Sequence, residues 1–310
     1  MTTRTVSKNR AIVFLTAQLF FAFALAVAFH PSAWAGENLS TLRAKAEAGD
    51  PKAQTHLGLL YDGGLGVPKD YGKAAHWYRL AARQGFAFAQ FPLGFHYETG
   101  EGVAQDYAKA ARWYRLAARQ GFSLAQLRLG ILYQIGQGVP KDYGKAASWF
   151  RLAARQGIAD AQNNLGYLYD NGQGVAQDYA KAARWYRLAA RQGFSLAQFN
   201  LGNHYYMGQG VPQDYAKAAS WLRLAARQGN APAQTNLGVL YAKGLGVPQD
   251  YGKAAHWYRL AAQQGFAHAQ GWLGWLYANG QGVPQDYAKA ASWLRLAAAP
   301  PVARSLLSTV

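Results

Sequence analysis

The sequence predicts an all-α fold in which short helical hairpins stack into a solenoid. Three observations carry that expectation. A self-similar segment recurs at a fixed spacing, each copy holds two stretches of helical apolar periodicity, and glycines punctuate every copy at the same places. The run VAQDYAKAARWYRLAARQGFSLAQ, for example, stands at 103–126 and again at 175–198.

Aligned on itself, the chain begins an Ala-Gln pair at Ala53, Ala89, Ala125, Ala161, Ala197, Ala233 and Ala269, each thirty-six residues after the last. Such a period marks an array whose units cannot bury their apolar faces alone and must stack. Seven copies therefore occupy 53–299. The preceding segment, 36–52, includes LRAKAEAGDPKAQ from Leu42, which matches the end of a unit and is expected to cap the array. At 300–310 the pattern breaks at Pro300 and Pro301, leaving a tail or a short cap.

Within a copy, Leu57 and Tyr61 stand four apart on one face of a first helix. Gly58 lies mid-helix, at a cost of about 1 kcal/mol against alanine, so a neighbouring backbone or ring must come too close for a Cβ. Gly64 and Gly66 then break the helix. A second helix is expected from near Pro68–Asp70, where proline suits a first turn and aspartate the positive helix end. It runs through Tyr71, Ala74, Ala75, Trp77, Ala81 and Ala82 to Gly85, placed as a left-handed terminal residue. In two copies a Ser-x-x-Gln box, Ser123 to Gln126 and Ser195 to Gln198, is expected to cap the next first helix.

The pattern AQTHLGLLYDGGLGVPKDYGKAAHWYRLAARQG from Ala53, with its six successors, resembles the Sel1-like repeat family, relatives of the tetratricopeptide repeats with a longer inter-helix loop. The resemblance implies a right-handed α/α superhelix of antiparallel helix pairs that serves as a scaffold for protein–protein interaction. Exported bacterial members of that family act in envelope regulation, exopolysaccharide control and contact with host cells. Some members are cysteine-rich; this chain has no cysteine, so activities tied to that subgroup are not implied.

Residues 1–35 differ from the rest. Arg4, Lys8 and Arg10 precede an apolar run from Ala11 to Phe29, and SAWA follows, with Ala33 and Ala35 in small-x-small spacing. That is the anatomy of a secretory signal, although the run is also long enough for an uncleaved anchor. Export to the periplasm, or secretion, is the expectation. Without cysteine there are no disulfides and no thiolate ligands for zinc, so packing alone must hold about 275 mature residues together.

Lys and Arg total 32 against 15 Asp and Glu, and loss of the signal lowers the formal charge from +17 only to about +14. Such a surface favours anionic partners. For an exported chain, acidic glycans, lipids or lipopolysaccharide are expected ahead of nucleic acid. Lys73, Arg79, Arg83 and their equivalents predict rows of charge along the outer surface. Leu80 and its equivalents lie about 20° from the lysine on a helical wheel. They either meet an anionic membrane or tuck under the next unit.

Between copies, variation concentrates two, three, six, nine and ten residues after the starting alanine. At about 100° per residue these fall in one arc opposite the Leu/Tyr face, and the resemblance puts that arc on the concave side. Drift of an unconstrained surface would also vary these positions, but drift usually leaves polar residues. The arc instead carries Phe91, Phe95, Arg128, Asn164, Tyr167, Phe199, Asn200, Tyr206, Asn236, Trp272 and Trp275, the expected peptide- or protein-binding groove. Asn164, Asn200 and Asn236 share one position in successive copies and either hold a peptide backbone or are simply solvated. Arg128, one copy earlier, is suited to an acidic side chain or terminal carboxylate.

Enzyme signatures are missing: no Ser-x-x-Lys, Gly-x-Ser-x-Gly or His-Glu-x-x-His occurs, and GQGVPQ lacks the third glycine and the strand of a dinucleotide loop. The histidines have no ligand spacing; His96 and His204 replace leucines and are expected to pack. No cofactor and no metal are expected. The sequence reads as a non-enzymatic adaptor with a groove for a protein partner. The alternatives are a polyanion binder using the outer face and a cell-wall-related hydrolase with no residues to nominate.

Overall fold

The computed structural model describes residues 38–299. The expected signal at 1–35 and the tail at 300–310 lie outside the described residues. Among the described residues there are fifteen helices and no strand. None of these helices is long and apolar enough to cross a membrane.

Helix α1 (Leu39–Glu47) precedes seven helix pairs. The first helices of the pairs are α2 (Pro51–Gly63), α4 (Ala87–Thr99), α6 (Ser123–Ile135), α8 (Ala159–Asn171), α10 (Ser195–Met207), α12 (Ala231–Lys243) and α14 (Ala267–Asn279). The second helices are α3 (Tyr71–Arg83), α5 (Tyr107–Arg119), α7 (Tyr143–Arg155), α9 (Tyr179–Arg191), α11 (Tyr215–Arg227), α13 (Tyr251–Gln263) and α15 (Tyr287–Ala298). The chain forms two compact units. One runs to Leu93 and takes in Glu101–Val103; the other comprises Gly94–Gly100 and everything from Ala104.

In the first unit, Leu42 and Ala46 of α1 bury against Ala53 and Leu57 of α2, with Trp77 packed on the cluster. A Cβ on Gly58 would stand 2.5 Å from Cε1 of Tyr78, whose ring is fully buried. The ring expected from the recurrent glycine is therefore present. Arg43 Nη2 donates to the Tyr61 hydroxyl at 3.3 Å.

The second unit repeats this chemistry in phase. Each second helix starts one residue after its aspartate, later than the proline position predicts. Asp142 is the N-cap, its Oδ1 accepting from Lys145 N at 2.8 Å. The proline therefore lies in the loop ahead of the cap. Each first helix ends on a left-handed glycine such as Gly136 at φ +77°. Two residues on, Gly138 at φ +68° lies so close to the Tyr107 carbonyl of the preceding pair that a Cβ would overlap it.

The Ser-x-x-Gln box does not form. Ser123 is already the first residue of α6, the N-cap is Phe122, and no side chain caps it. Gln126 instead turns back, its Nε2 donating to the Ala118 carbonyl at 3.1 Å while its Oε1 accepts from Gln156 Nε2 at 2.8 Å. A glutamine that fills both roles inside a core satisfies a helix-end carbonyl water cannot reach, which outweighs a cap available to solvent. The same pair of bonds recurs at Gln162 and Gln198, linking successive pairs.

The three predicted basic rows have three different fates. The lysines pair with their own N-cap aspartates, as in Lys217–Asp214 at 2.9 Å. The arginines of the middle row donate to tyrosines of the next pair, as in Arg223 to Tyr241 at 3.1 Å. Arg119, Arg155, Arg191 and Arg227 are exposed and have no ion-pair partner among the described residues. Beside them Leu152, Leu188 and Leu224 are about two-fifths exposed.

Candidate functional site

The variable arc is not one surface. Residues two after the starting alanine are buried in five of seven copies. Phe91, expected to line a groove, is only 5% exposed and belongs to the interior. The reason is visible in the second unit. Asn163, at that position in α8, lies under Asn200 of α10, whose Nδ2 donates to Asn163 Oδ1 at 3.0 Å. A helical wheel gives direction around an axis but ignores height along it, and at this height the next first helix covers the position.

Around Arg128 an internal constellation replaces an open anion site. Arg128 is 9% exposed, and its Nη1 pairs with Glu98 Oε1 at 3.6 Å. The guanidinium lies 5.9 Å from the centroid of the half-buried Phe95 ring. Glu98 Oε2 also accepts from the Tyr114 hydroxyl at 2.6 Å, a hydroxyl that burial and the adjacent carboxylate hold well above its ordinary pKa. The cation expected to receive a partner's acid already holds one of its own.

Further along, α8, α10 and α12 bring their inner faces together around a cavity of about 490 Å³. Asn200, Asn203 and Asn236 line it with Asp170 and His204, and Tyr206, Met207 and Val239 supply apolar wall. A second cross-helix amide pair, Asn236 Nδ2 to Asn203 Oδ1 at 2.8 Å, continues the row. Asn164 is half-buried on α8 and joins neither pair, while Tyr167 is 42% exposed. Phe199 packs against the core of α11 and α12, and Tyr206 meets Tyr215 edge-on at 5.4 Å. On α14, Trp272 stacks on Tyr258 at 6.2 Å and meets Trp275 at right angles, both indoles 41% exposed.

His204 does more than pack. It is 3% exposed, and its Nδ1 lies 2.8 Å from the Gln209 carbonyl, an acceptor only, so Nδ1 carries the proton. Its Nε2 is 3.2 Å from Asp170 Oδ1. Asp170 in turn borders Tyr186, whose hydroxyl is raised by burial and then by that carboxylate. A signal for this pair stands in the sequence: the two copies with histidine in place of the leucine, His96 and His204, each follow a copy with aspartate nine after the alanine, Asp62 and Asp170. Among the described residues no cluster of three histidine or acidic side chains could hold a metal ion.

The Sel1 repeat model matches seven consecutive segments, 51–86, 87–122, 123–158, 159–194, 195–230, 231–266 and 267–299. The chain belongs to the Sel1 repeat family. Its helix pairs form the α/α solenoid of Sel1-like repeats, a relative of the tetratricopeptide array. A solved Sel1 repeat protein from Oxalobacter formigenes is 39% identical with a TM-score of 0.70, over 87% of this chain and 79% of that one. The structure of c5321, described as a protective antigen of uropathogenic Escherichia coli strains with an SLR fold, is 40% identical with a TM-score of 0.80. That match covers 88% of this chain but 58% of the antigen. No curated protein sequence matches the chain significantly. Sel1 repeat arrays generally mediate protein–protein interaction, and the fold is typically a scaffold without catalysis.

Proposed function

We propose that this Sel1 repeat protein is an exported, non-enzymatic adaptor that takes a segment of a protein partner along the inner face of α8, α10, α12 and α14. The observation that carries the reading is a shared register: Asn200, Asn236 and Trp272 each stand three residues after the starting alanine of successive copies. Amide pairs link α8 to α10 and α10 to α12, the cavity opens among them, and the half-exposed pair Trp272 and Trp275 follows. Exposed tryptophans beside fixed amides give large contact area at low entropic cost together with hydrogen-bonding groups. The likeness to a protein described as a protective antigen supports export and a role at the cell envelope or in contact with a host.

The experiment is affinity capture from envelope extracts with the wild-type chain and with the double variant Trp272→Ala, Trp275→Ala, eluted in a salt series. Each indole is 41% exposed, and circular dichroism establishes that the double variant is folded before capture is scored. The reading requires a partner retained at high salt and lost in the variant. A partner bound equally by both proteins would overturn it.

A second reading has its own observation, the row Arg119, Arg155, Arg191 and Arg227 beside partly exposed leucines. It makes the outer face a site for an acidic glycan, lipid or lipopolysaccharide. Binding there must fall steeply with salt and ignore the tryptophan substitutions.

A further inference from the structure

We infer that the cavity between α8, α10 and α12 receives an arginine side chain of the partner; this rests on the groove reading above and names what the groove selects. The charge of the site runs against that of the chain. Lys and Arg outnumber Asp and Glu by 32 to 15, yet no lysine or arginine lines this cavity, and the carboxylate of Asp170 does. Asp170 lines the cavity and keeps 28% of its side chain exposed while its Oδ1 faces His204.

The amides are set to accept. Asn200 Nδ2 is turned to Asn163 and Asn236 Nδ2 to Asn203. Neither Asn200 Oδ1 nor Asn236 Oδ1 has a donor among the described residues, and both residues line the cavity. His204 spends its Nδ1 proton on the Gln209 carbonyl. The Asp170 carboxylate faces His204 Nε2 at 3.2 Å and accepts from the Tyr186 hydroxyl at 3.5 Å, which leaves it lone pairs for a further donor. The two amide carbonyls share its cavity. A guanidinium matches that set, since it offers five donors in a planar fork and accepts nothing. Met207 and Val239 provide apolar surface for the methylene stem and Tyr206 a ring face for the cation. A carboxylate-bearing partner would meet the Asp170 carboxylate in a cavity that no lysine or arginine lines.

The test uses the full chain and two probes of equal shape, N-acetyl-arginine N-methylamide and its neutral citrulline analogue, followed by saturation-transfer NMR titration. The arginine probe should bind about tenfold more tightly, the size of effect a charge-assisted hydrogen bond produces. Asp170→Asn should erase the preference. Met207 is 62% exposed at the rim, so Met207→Glu should strengthen arginine binding about threefold and Met207→Lys weaken it as much, with the fold undisturbed. Equal binding of the two probes, or a preference that survives Asp170→Asn, overturns the inference. Partner capture that needs Trp272 and Trp275 but is indifferent to Asp170 also defeats it and leaves the groove reading standing. An arginine preference without any capture defeats the groove reading instead.

Discussion

A Cβ on Gly130 of α6 would stand 2.6 Å from Cδ1 and Cε1 of Phe150 on α7, whose ring is fully buried. The glycine exists to seat that ring, and the same relation joins Gly238 to Tyr258 at 2.6 Å. Gly130→Ala should therefore destabilise by about 1–3 kcal/mol, because overpacking exceeds the gain in helix propensity. Gly271 of α14 supplies the control, since a Cβ there meets nothing within 4 Å. Gly271→Ala should stabilise by up to about 1 kcal/mol. Urea unfolding of both variants checks the sign; two shifts in the same direction would refute the argument.

The loop glycines make a harsher demand. Gly138 has φ +68°, and its missing Cβ points into the backbone of Tyr107 and Ala108. No rotamer relieves a backbone clash, so Gly138→Ala should cost more than about 3 kcal/mol, combining left-handed strain with displacement of α5 from the loop. Gly157 has φ +90° with open space around it, and Gly157→Ala should cost only the conformational share, about 1–2 kcal/mol. Thermal melts of the two variants separate the contributions.

Gln126, 4% exposed, ties three segments through one side chain, taking a hydrogen from Gln156 and giving one to the Ala118 carbonyl. Gln126→Ala should lose about 2 kcal/mol by orphaning both groups. Gln126→Glu should lose more, because the carbonyl then faces an acceptor. Hydrogen exchange should show the opening concentrated at α5, α6 and α7. Uniform loosening of the whole chain would argue against this link.

The period, the helix pairs and the ring behind Gly58 were legible because each is a local pattern copied many times, and repetition averages away accident. Phe91 and the serine-glutamine boxes were misread for one shared reason. Their surroundings come from the neighbouring copy, and neither a helical wheel nor a capping motif says which turn of a helix the neighbour covers. The Asp170–His204 pair left a trace only in the comparison of one copy with the next. Arg128 was legible as a cation on the inner helix, but its partner Glu98 lies in the preceding copy, outside any local motif.

The recurrent aspartates predict an acid limit to stability. Asp214 is held below the usual aspartate value of 3.8 by hydrogen bonds from Lys217, side chain and backbone, and its six equivalents are held low in the same way. A carboxyl with a lowered folded-state pKa stabilises above its unfolded value and loses that contribution as pH falls through the folded value. Melting temperature should thus be flat from pH 7 to about 5 and drop steeply below 3.8. Asp214→Asn keeps a capping oxygen and should change little at pH 7 while making the acid slope shallower. An unchanged slope would place the acid transition elsewhere.

Arg128 and Glu98 give the last test, since their side chains are only 11% and 18% exposed. Removing one member of such a pair leaves a charge with too little water to solvate it. Arg128→Ala should therefore cost about 3 kcal/mol, far above the worth of an exposed pair. Adding Glu98→Gln should restore most of the loss, because the amide still accepts from the Tyr114 hydroxyl and carries no charge. The coupling read from this double-mutant cycle should persist in 0.5 M salt, at roughly that strength, because shielding requires ions to reach the pair. Additive effects, or a coupling that vanishes in salt, would mean that Arg128 is exposed enough to serve a partner after all.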